Sequence, residues 1–100
     1  MANKKEMIHR AFIKEAVKLG YKATVYELED EVNKSNNVES IIECAECTDE
    51  AIIEWYDEKG TYIGNIGIVM GNDDPCDSVY DYHCNIKIES IMDRLYKLYE

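Results

Sequence analysis

Histidine is scarce in this chain, with only His9 and His83 present, and no serine or cysteine sits in a nucleophile-elbow context. A glycine-rich phosphate loop and a metal-binding histidine pair are also missing, so the residue patterns that most often carry catalysis have no counterpart here. Asp81-Tyr82-His83-Cys84 contains the residue types of a Cys-His-Asp set, but adjacent residues rarely converge on one reacting atom. The sequence therefore predicts a protein that is not an enzyme and carries no cofactor. No apolar run exceeds a few residues, and the first ten, MANKKEMIHR, lead into a charged helix rather than a signal-peptide core. Both observations predict a cytoplasmic protein without a membrane partner. Proline occurs once, as Pro75 in the polar stretch GNDDPCD, and neither an internal repeat nor a low-complexity tract is present.

Positive charge is the other shortage. Eleven Lys and Arg stand against 21 Asp and Glu, for a net charge of −10. The imbalance is local: residues 1–22 hold six basic and two acidic residues, whereas residues 23–86 hold two and sixteen. A field of that sign repels nucleic acid and anionic membrane and attracts basic surfaces or cations. With 100 residues, of which 46% are apolar, the chain has material for one small folded domain and one core. A core of that size is marginal without staples, and self-association is the expected source of extra stability.

What is present is strong periodicity. Residues 51–70, AIIEWYDEKGTYIGNIGIVM, read as two strands joined by a turn at Asp57-Glu58-Lys59-Gly60, with Gly60 supplying the positive φ that such a loop requires. Ile53 and Trp55 alternate with Ile52, Glu54 and Tyr56 in the first arm. In the second, Tyr62, Ile66, Ile68 and Met70 alternate with Ile63 and Val69. Before the hairpin, Asn3 and Glu6 form a capping-box pattern ahead of Ile8, Ala11, Phe12, Ala16 and Leu19 at helical spacing, and Gly20 stands at the C-cap. KATVYEL, residues 22–28, reads as a strand. The polar run of residues 29–37 reads as a mobile loop, and residues 38–47 as a further strand with Ile42 and Cys44 on one side and Ile41, Glu43 and Ala45 on the other. After the loop at 71–77, residues 78–82 read as a short extended piece. Asn85 or Asp81 then caps a last helix carrying Ile88, Ile91, Met92, Leu95, Leu98 and Tyr99 on one stripe. The predicted architecture is α+β: a helix, an antiparallel meander sheet of three to four strands, and a helix, with both helices on one face.

Such an arrangement leaves one sheet face bare. If Ile42, Cys44, Ile53, Trp55, Ile66 and Ile68 point at the helices, the bare face shows Glu43, Glu54, Tyr56, Ile41, Ile52, Ile63 and Val69, a mixture apolar enough to predict a partner protein or a homodimer over it. A bulge in the Gly64–Gly67 arm would exchange the sides. Eight tyrosines against a single phenylalanine favour surfaces that are both apolar and hydrogen-bonding. Tyr56, Tyr80 and Tyr82 lie beside acids and are assigned to an interface, with Tyr21, Tyr26 and Tyr62 at the edge of the core. Acids at Glu39, Glu43, Glu46, Asp49, Glu50, Glu54, Asp57 and Glu58 would recur at about 6–7 Å, two strand residues apart, close to phosphate spacing.

Three sets of candidate site residues follow. A partner-binding set comprises Glu43, Glu54, Tyr56, Asp57, Glu58, Tyr80 and Tyr82, directed at a basic protein. An alternative is a homo-oligomer that traps an anionic small molecule or nucleotide, with Arg10, Lys14 and Lys18, four residues apart on the first helix, as the contacts. The third is a zinc-stabilised interaction domain using Cys44, Cys47, Cys76 and Cys84. The Cys44–Cys47 gap fits a zinc half-site, but in a strand those positions face opposite ways, so free thiols are the simpler expectation. Asn72, Asp73, Asp74 and Asp77 lack the alternate-position spacing of a calcium loop and read as turn residues.

The single short domain, the acidic middle containing IIECAECTDEAIIEWYDEKG, the flanking helices and the many tyrosines resemble the small phage or mobile-element proteins that block host defences, anti-CRISPR proteins among them. The resemblance lies in overall layout and in no motif. It implies stoichiometric inhibition of a basic nucleic-acid-binding protein in the host cytoplasm.

Overall fold

A computed structural model describes residues 6–27, 30–35, 37–47, 49–70, 78–84 and 86–99. Its elements are α1 (Ile8–Lys18), β1 (Lys22–Glu27), β2 (Asp30–Ser35), α2 (Val38–Glu46), β3 (Glu50–Tyr56), β4 (Tyr62–Val69), β5 (Val79–Cys84) and α3 (Ile86–Tyr99). The α+β class holds, with three helices rather than two. The strands form one antiparallel sheet in the order β2-β1-β3-β4-β5.

The β3–β4 hairpin forms where alternation places it. Gly60 takes a φ of 87°, and the Asp57 carboxylate accepts from the backbone N–H of Lys59 at 2.9 Å and of Thr61 at 3.0 Å, closing the turn. On the helix side of the sheet, Ala51, Ile53 and Trp55 of β3 pair with Ile68, Ile66 and Gly64 of β4. Ala23 and Val25 of β1 continue the same buried rows opposite Trp55 and Ile53. Phe12 from α1 meets Trp55 edge-on, with ring centroids 5.4 Å apart, an aromatic geometry that adds to simple burial.

Four expectations need correction. Residues 38–47 are not a strand but helix α2. The Asn37 side chain caps it by accepting from Ser40 N at 3.0 Å, and Val38, Ile41, Ile42 and Ala45 recur at helical spacing, with Ile41 and Ala45 fully buried. This helix lies over β1, β2 and β3 while α3 lies over β4 and β5 and α1 packs between them, so a five-stranded sheet receives the cover two helices could not supply. Residues 30–35, expected in a mobile loop, form edge strand β2, because pairing with β1 satisfies their backbone groups while the charged sequence suits an edge.

Helix α1 begins at Ile8 with Met7 at the N-cap and no side-chain cap. Glu6 therefore precedes the helix instead of completing a box, and Asn3 lies outside the described residues. The stripe it buries is Ile8, His9, Phe12, Ile13 and Ala16, whereas Leu19 is 49% exposed; Gly20, at φ 93°, follows as the left-handed stop. Finally, Asp81 belongs to β5 and cannot cap α3; Asn85 lies outside the described residues. Strand β5 itself extends the short piece expected at 78–82 as far as Cys84.

The register of β4 also shifts, though one position ahead of the Gly64–Gly67 arm. Trp55 pairs with Gly64 but Tyr56 pairs with Tyr62, so Ile63 is the extra residue and Gly64 adopts a φ of 138°. Ile63 turns inward to 2% exposure and Tyr62 outward to 48%, reversing the sides alternation assigned to them.

Candidate functional site

Among the described residues all three helices lie on one side of the sheet, and none lies over the other face. Ladder pairing sets its rows: Lys22 beside Tyr56 and Tyr62, Thr24 beside Glu54 and Asn65, Tyr26 beside Ile52 and Gly67, and Glu50 beside Val69. Tyr80 sits in β5 where the register slips between Gly67 and Ile68. Ile52 and Tyr80 remain 40% and 49% exposed.

Two clusters organise the face. At the hairpin end, Tyr56 donates its hydroxyl to Glu54 at 3.0 Å, its ring meets that of Tyr62 edge-on at 5.7 Å, and Asn65 donates its side-chain N–H to the Tyr62 oxygen at 2.8 Å. Loss of solvent raises the Tyr56 pKa, with the bond to the Glu54 carboxylate adding to the effect, so Tyr56 stays a neutral donor. At the other end, the Tyr80 ring lies across Gly67. A Cβ there would stand 2.7 Å from the ring carbon Cζ, so glycine is what lets the ring lie flat on the sheet. Glu50, Ala51, Ile52 and Tyr80 line a shallow hollow of about 150 Å³.

The predicted partner-binding residues divide between surfaces. Glu54, Tyr56 and Tyr80 share this face. Glu58 is exposed in the hairpin turn at its end. Asp57, in the same turn, is 7% exposed. Its bonds from the Thr61 and Lys59 backbone, with Lys87 3.5 Å away, hold its pKa below the usual carboxylate value, so it serves the turn. Tyr82 is paired with Ile66 in β5. Glu43 is exposed on α2, across the molecule from the sheet face, as is Glu39. The regular row of carboxylates at strand spacing does not form, since Glu39, Glu43 and Glu46 follow a helical repeat. Tyr62, Tyr26, Ile52 and Asn65 join the face although the sequence reading left them out of the partner-binding set. The Gly64 bulge was the signal that could have recovered Tyr62.

The basic stripe of α1 is largely engaged within the protein. Arg10 forms a fork with Glu46, Nε to Oε2 at 2.6 Å and Nη2 to Oε1 at 2.5 Å, and Lys14 pairs with Glu6. Lys18 is exposed in the last turn. Cys44 in α2 and Cys47 at its C-cap are free thiols one helical turn apart, rather than on opposite faces of a strand. Cys84 is in β5, while Cys76 and the 71–77 stretch lie outside the described residues. Among the described residues no group of three or more metal-ligating side chains exists, and no helix is long and apolar enough to cross a membrane.

Glu46 also receives His9, which is fully buried, with Nε2 2.6 Å from Oε2. Burial pushes the His9 pKa below 6.5 against the pull of Glu46, and the Arg10 bond holds Glu46 below 4.5. Both shifts act in the same direction on acidification. The unfolded chain takes up a proton at His9 from about pH 6.5 downward that the fold refuses, and a second at Glu46 below 4.5. Stability is thus expected to fall as pH drops through 6.5 and to fall again below 4.5. Urea midpoints across that range will check it, and His9→Gln should flatten the upper step alone.

No family model matches the chain, and comparison with curated proteins and with solved structures finds no relative or structural neighbour.

Proposed function

We propose that this protein is a non-enzymatic binding module that docks its helix-free sheet face on a basic partner protein. The observation that carries this reading is the makeup of that face: Tyr56 and Tyr62 at the hairpin end, Tyr26 and Tyr80 beside Ile52, with Glu50 and Glu54 as the described acids among them. Tyrosines of this kind are typical binding anchors because each offers apolar area and a hydrogen-bonding tip at low conformational cost. The remaining acids, including Glu39 and Glu43 on α2, act at a distance. They contribute to the net charge of −10 and so to the rate of encounter with a cationic surface. Stoichiometric inhibition of a nucleic-acid-binding protein in the cytoplasm of a host cell is the biological form of this reading. It proceeds through tyrosine anchors and two acids rather than through a phosphate-like row.

The test is a partner captured from the native host and then measured against salt. Affinity should fall about tenfold or more between low and physiological ionic strength, as charge-steered association does. Glu50→Lys with Glu54→Lys should abolish it; Asp57 is left alone because it closes the turn. A salt-independent affinity, or one that survives the double reversal, overturns the reading. A pure protein that dimerises through Ile52 and Tyr80 would assign the face to a second copy instead.

A further inference from the structure

Resting on that reading, we infer that the hairpin end of the face is a niche for a single arginine side chain of the partner, built from Glu54, Tyr56, Tyr62 and Asn65. The four residues close a ring on the solvent side of two neighbouring strands. Glu54 lies opposite Asn65 and Tyr56 opposite Tyr62 in the ladder. The Tyr56 hydroxyl holds one Glu54 oxygen, the two tyrosine rings meet edge-on, and Asn65 holds the Tyr62 oxygen. Each side chain is thereby oriented before any partner arrives, which lowers the ordering cost of binding.

The chemistry of the ring selects a cation. Glu54 Oε1 accepts the hydrogen bond that Tyr56 donates, while Oε2 has no partner among the described residues and is left as a charged acceptor. The Tyr62 oxygen is already engaged by Asn65, and 48% of the residue remains exposed, so its ring is open to stacking. A carboxylate oxygen beside an exposed aromatic ring suits a flat cation that can donate a hydrogen bond at its edge and stack through its plane, which describes a guanidinium better than a compact, strongly hydrated ammonium. Lys22 adjoins Tyr56 on the β1 side, so the entering cation approaches over Tyr62 and Asn65, away from a like charge. Glu50, opposite Val69 at the far end of the face, adds the same sign.

The probe is a blocked glycine-serine pentapeptide with one central arginine, titrated into the isotopically labelled full chain. Its twins carry citrulline, which has the same shape without the charge, or lysine. The side-chain amide of Asn65 and the ring signals of Tyr62 should move with the arginine peptide. The citrulline peptide should bind about tenfold more weakly, as loss of a charge-assisted bond requires, and the lysine peptide about two- to fivefold more weakly. Glu54→Gln should reduce the arginine peptide to the citrulline level, and Tyr62→Ala should weaken it about two- to fivefold, with thermal melts verifying that both variants remain folded. Equal binding of arginine and citrulline peptides, unchanged affinity in Glu54→Gln, or shifts confined to α2 would overturn the niche. Lysine binding as tightly as arginine would overturn the choice of guanidinium. Salt-dependent capture of a basic partner by Glu54→Gln at full affinity would likewise overturn the niche while leaving the wider docking reading intact. Arginine-specific shifts without any captured basic partner would support the niche and count against that wider reading.

Discussion

Trp55→Ala is expected to cost about 3–5 kcal/mol of stability, the largest effect of any single side chain on the sheet. Trp55 is fully buried, its ring is met edge-on by Phe12, and its strand is the middle one of five. Removing it separates α1 from the sheet and leaves a cavity that the surrounding isoleucines cannot fill without moving backbone. For a domain with about 5–15 kcal/mol in total, the melting temperature should fall by roughly 15–30 °C. Trp55→Phe makes a sharper comparison. The indole Nε1–H is buried without an acceptor among the described residues, and relieving an unsatisfied donor recovers about 1–3 kcal/mol. The phenylalanine variant should therefore lose far less than its lost volume suggests. Urea unfolding and thermal melts of the two variants measure this; a drop of only a few degrees for the alanine variant would contradict the packing of α1 on β3.

Tyr56→Ala and Tyr80→Ala are each expected to weaken the partner complex about thirtyfold or more, chiefly through faster dissociation, while costing about 1 kcal/mol or less of stability. The asymmetry follows from where the side chains stand. Tyr80 is half exposed with its ring resting on Gly67, and Tyr56 contacts Glu54 and Tyr62 on the open side, so neither holds the core. Reversing Glu39 and Glu43 to lysine on α2 should do the opposite, slowing association and leaving dissociation nearly unchanged, because those acids reach the partner only through the field. Surface binding kinetics on the four variants separate contact from steering. Dissociation that is indifferent to both tyrosines would remove the sheet face from the interface.

Local signals carried the hairpin, α3 and the end of α1 because one dominant pattern was present in each. Alternation around Trp55, the positive-φ requirement at Gly60 and Gly20, and the stripe from Ile88 to Leu95 all agree with the observed elements. The segment VESIIECAE failed because its short apolar run fits both periods: Ile42 and Cys44 alternate with Ile41 and Ala45, yet Val38, Ile41, Ile42 and Ala45 also form a helical stripe. Asn37, which caps the helix, is the local feature that favours the helical period. Strand β2 is illegible in the sequence for a different reason. Its sequence, DEVNKS, has almost no apolar pattern, so only the backbone bonds offered by β1 make it a strand.

The candidate face was legible in part. That a helix-free face would exist, and that Ile52, Glu54 and Tyr56 would lie on it, followed from parity and from the few helices the chain can form. In the second arm Val69 followed as well, but Tyr62 and Ile63 did not, because one inserted residue at Ile63 reverses the two positions before Gly64 and brings Tyr62 beside Tyr56.

By itself the sequence determined the α+β class, the charge imbalance and the parity of β3, since each depends on the order and type of neighbouring residues. Tertiary structure decided which acids share a surface. Helix α2 carries Glu39, Glu43 and Glu46 to the far side, and Arg10 and His9 of α1 engage Glu46, because covering the β1–β2 half of the sheet required a third helix. That demand comes from burial of apolar area across the whole sheet and cannot be read from any window of ten residues.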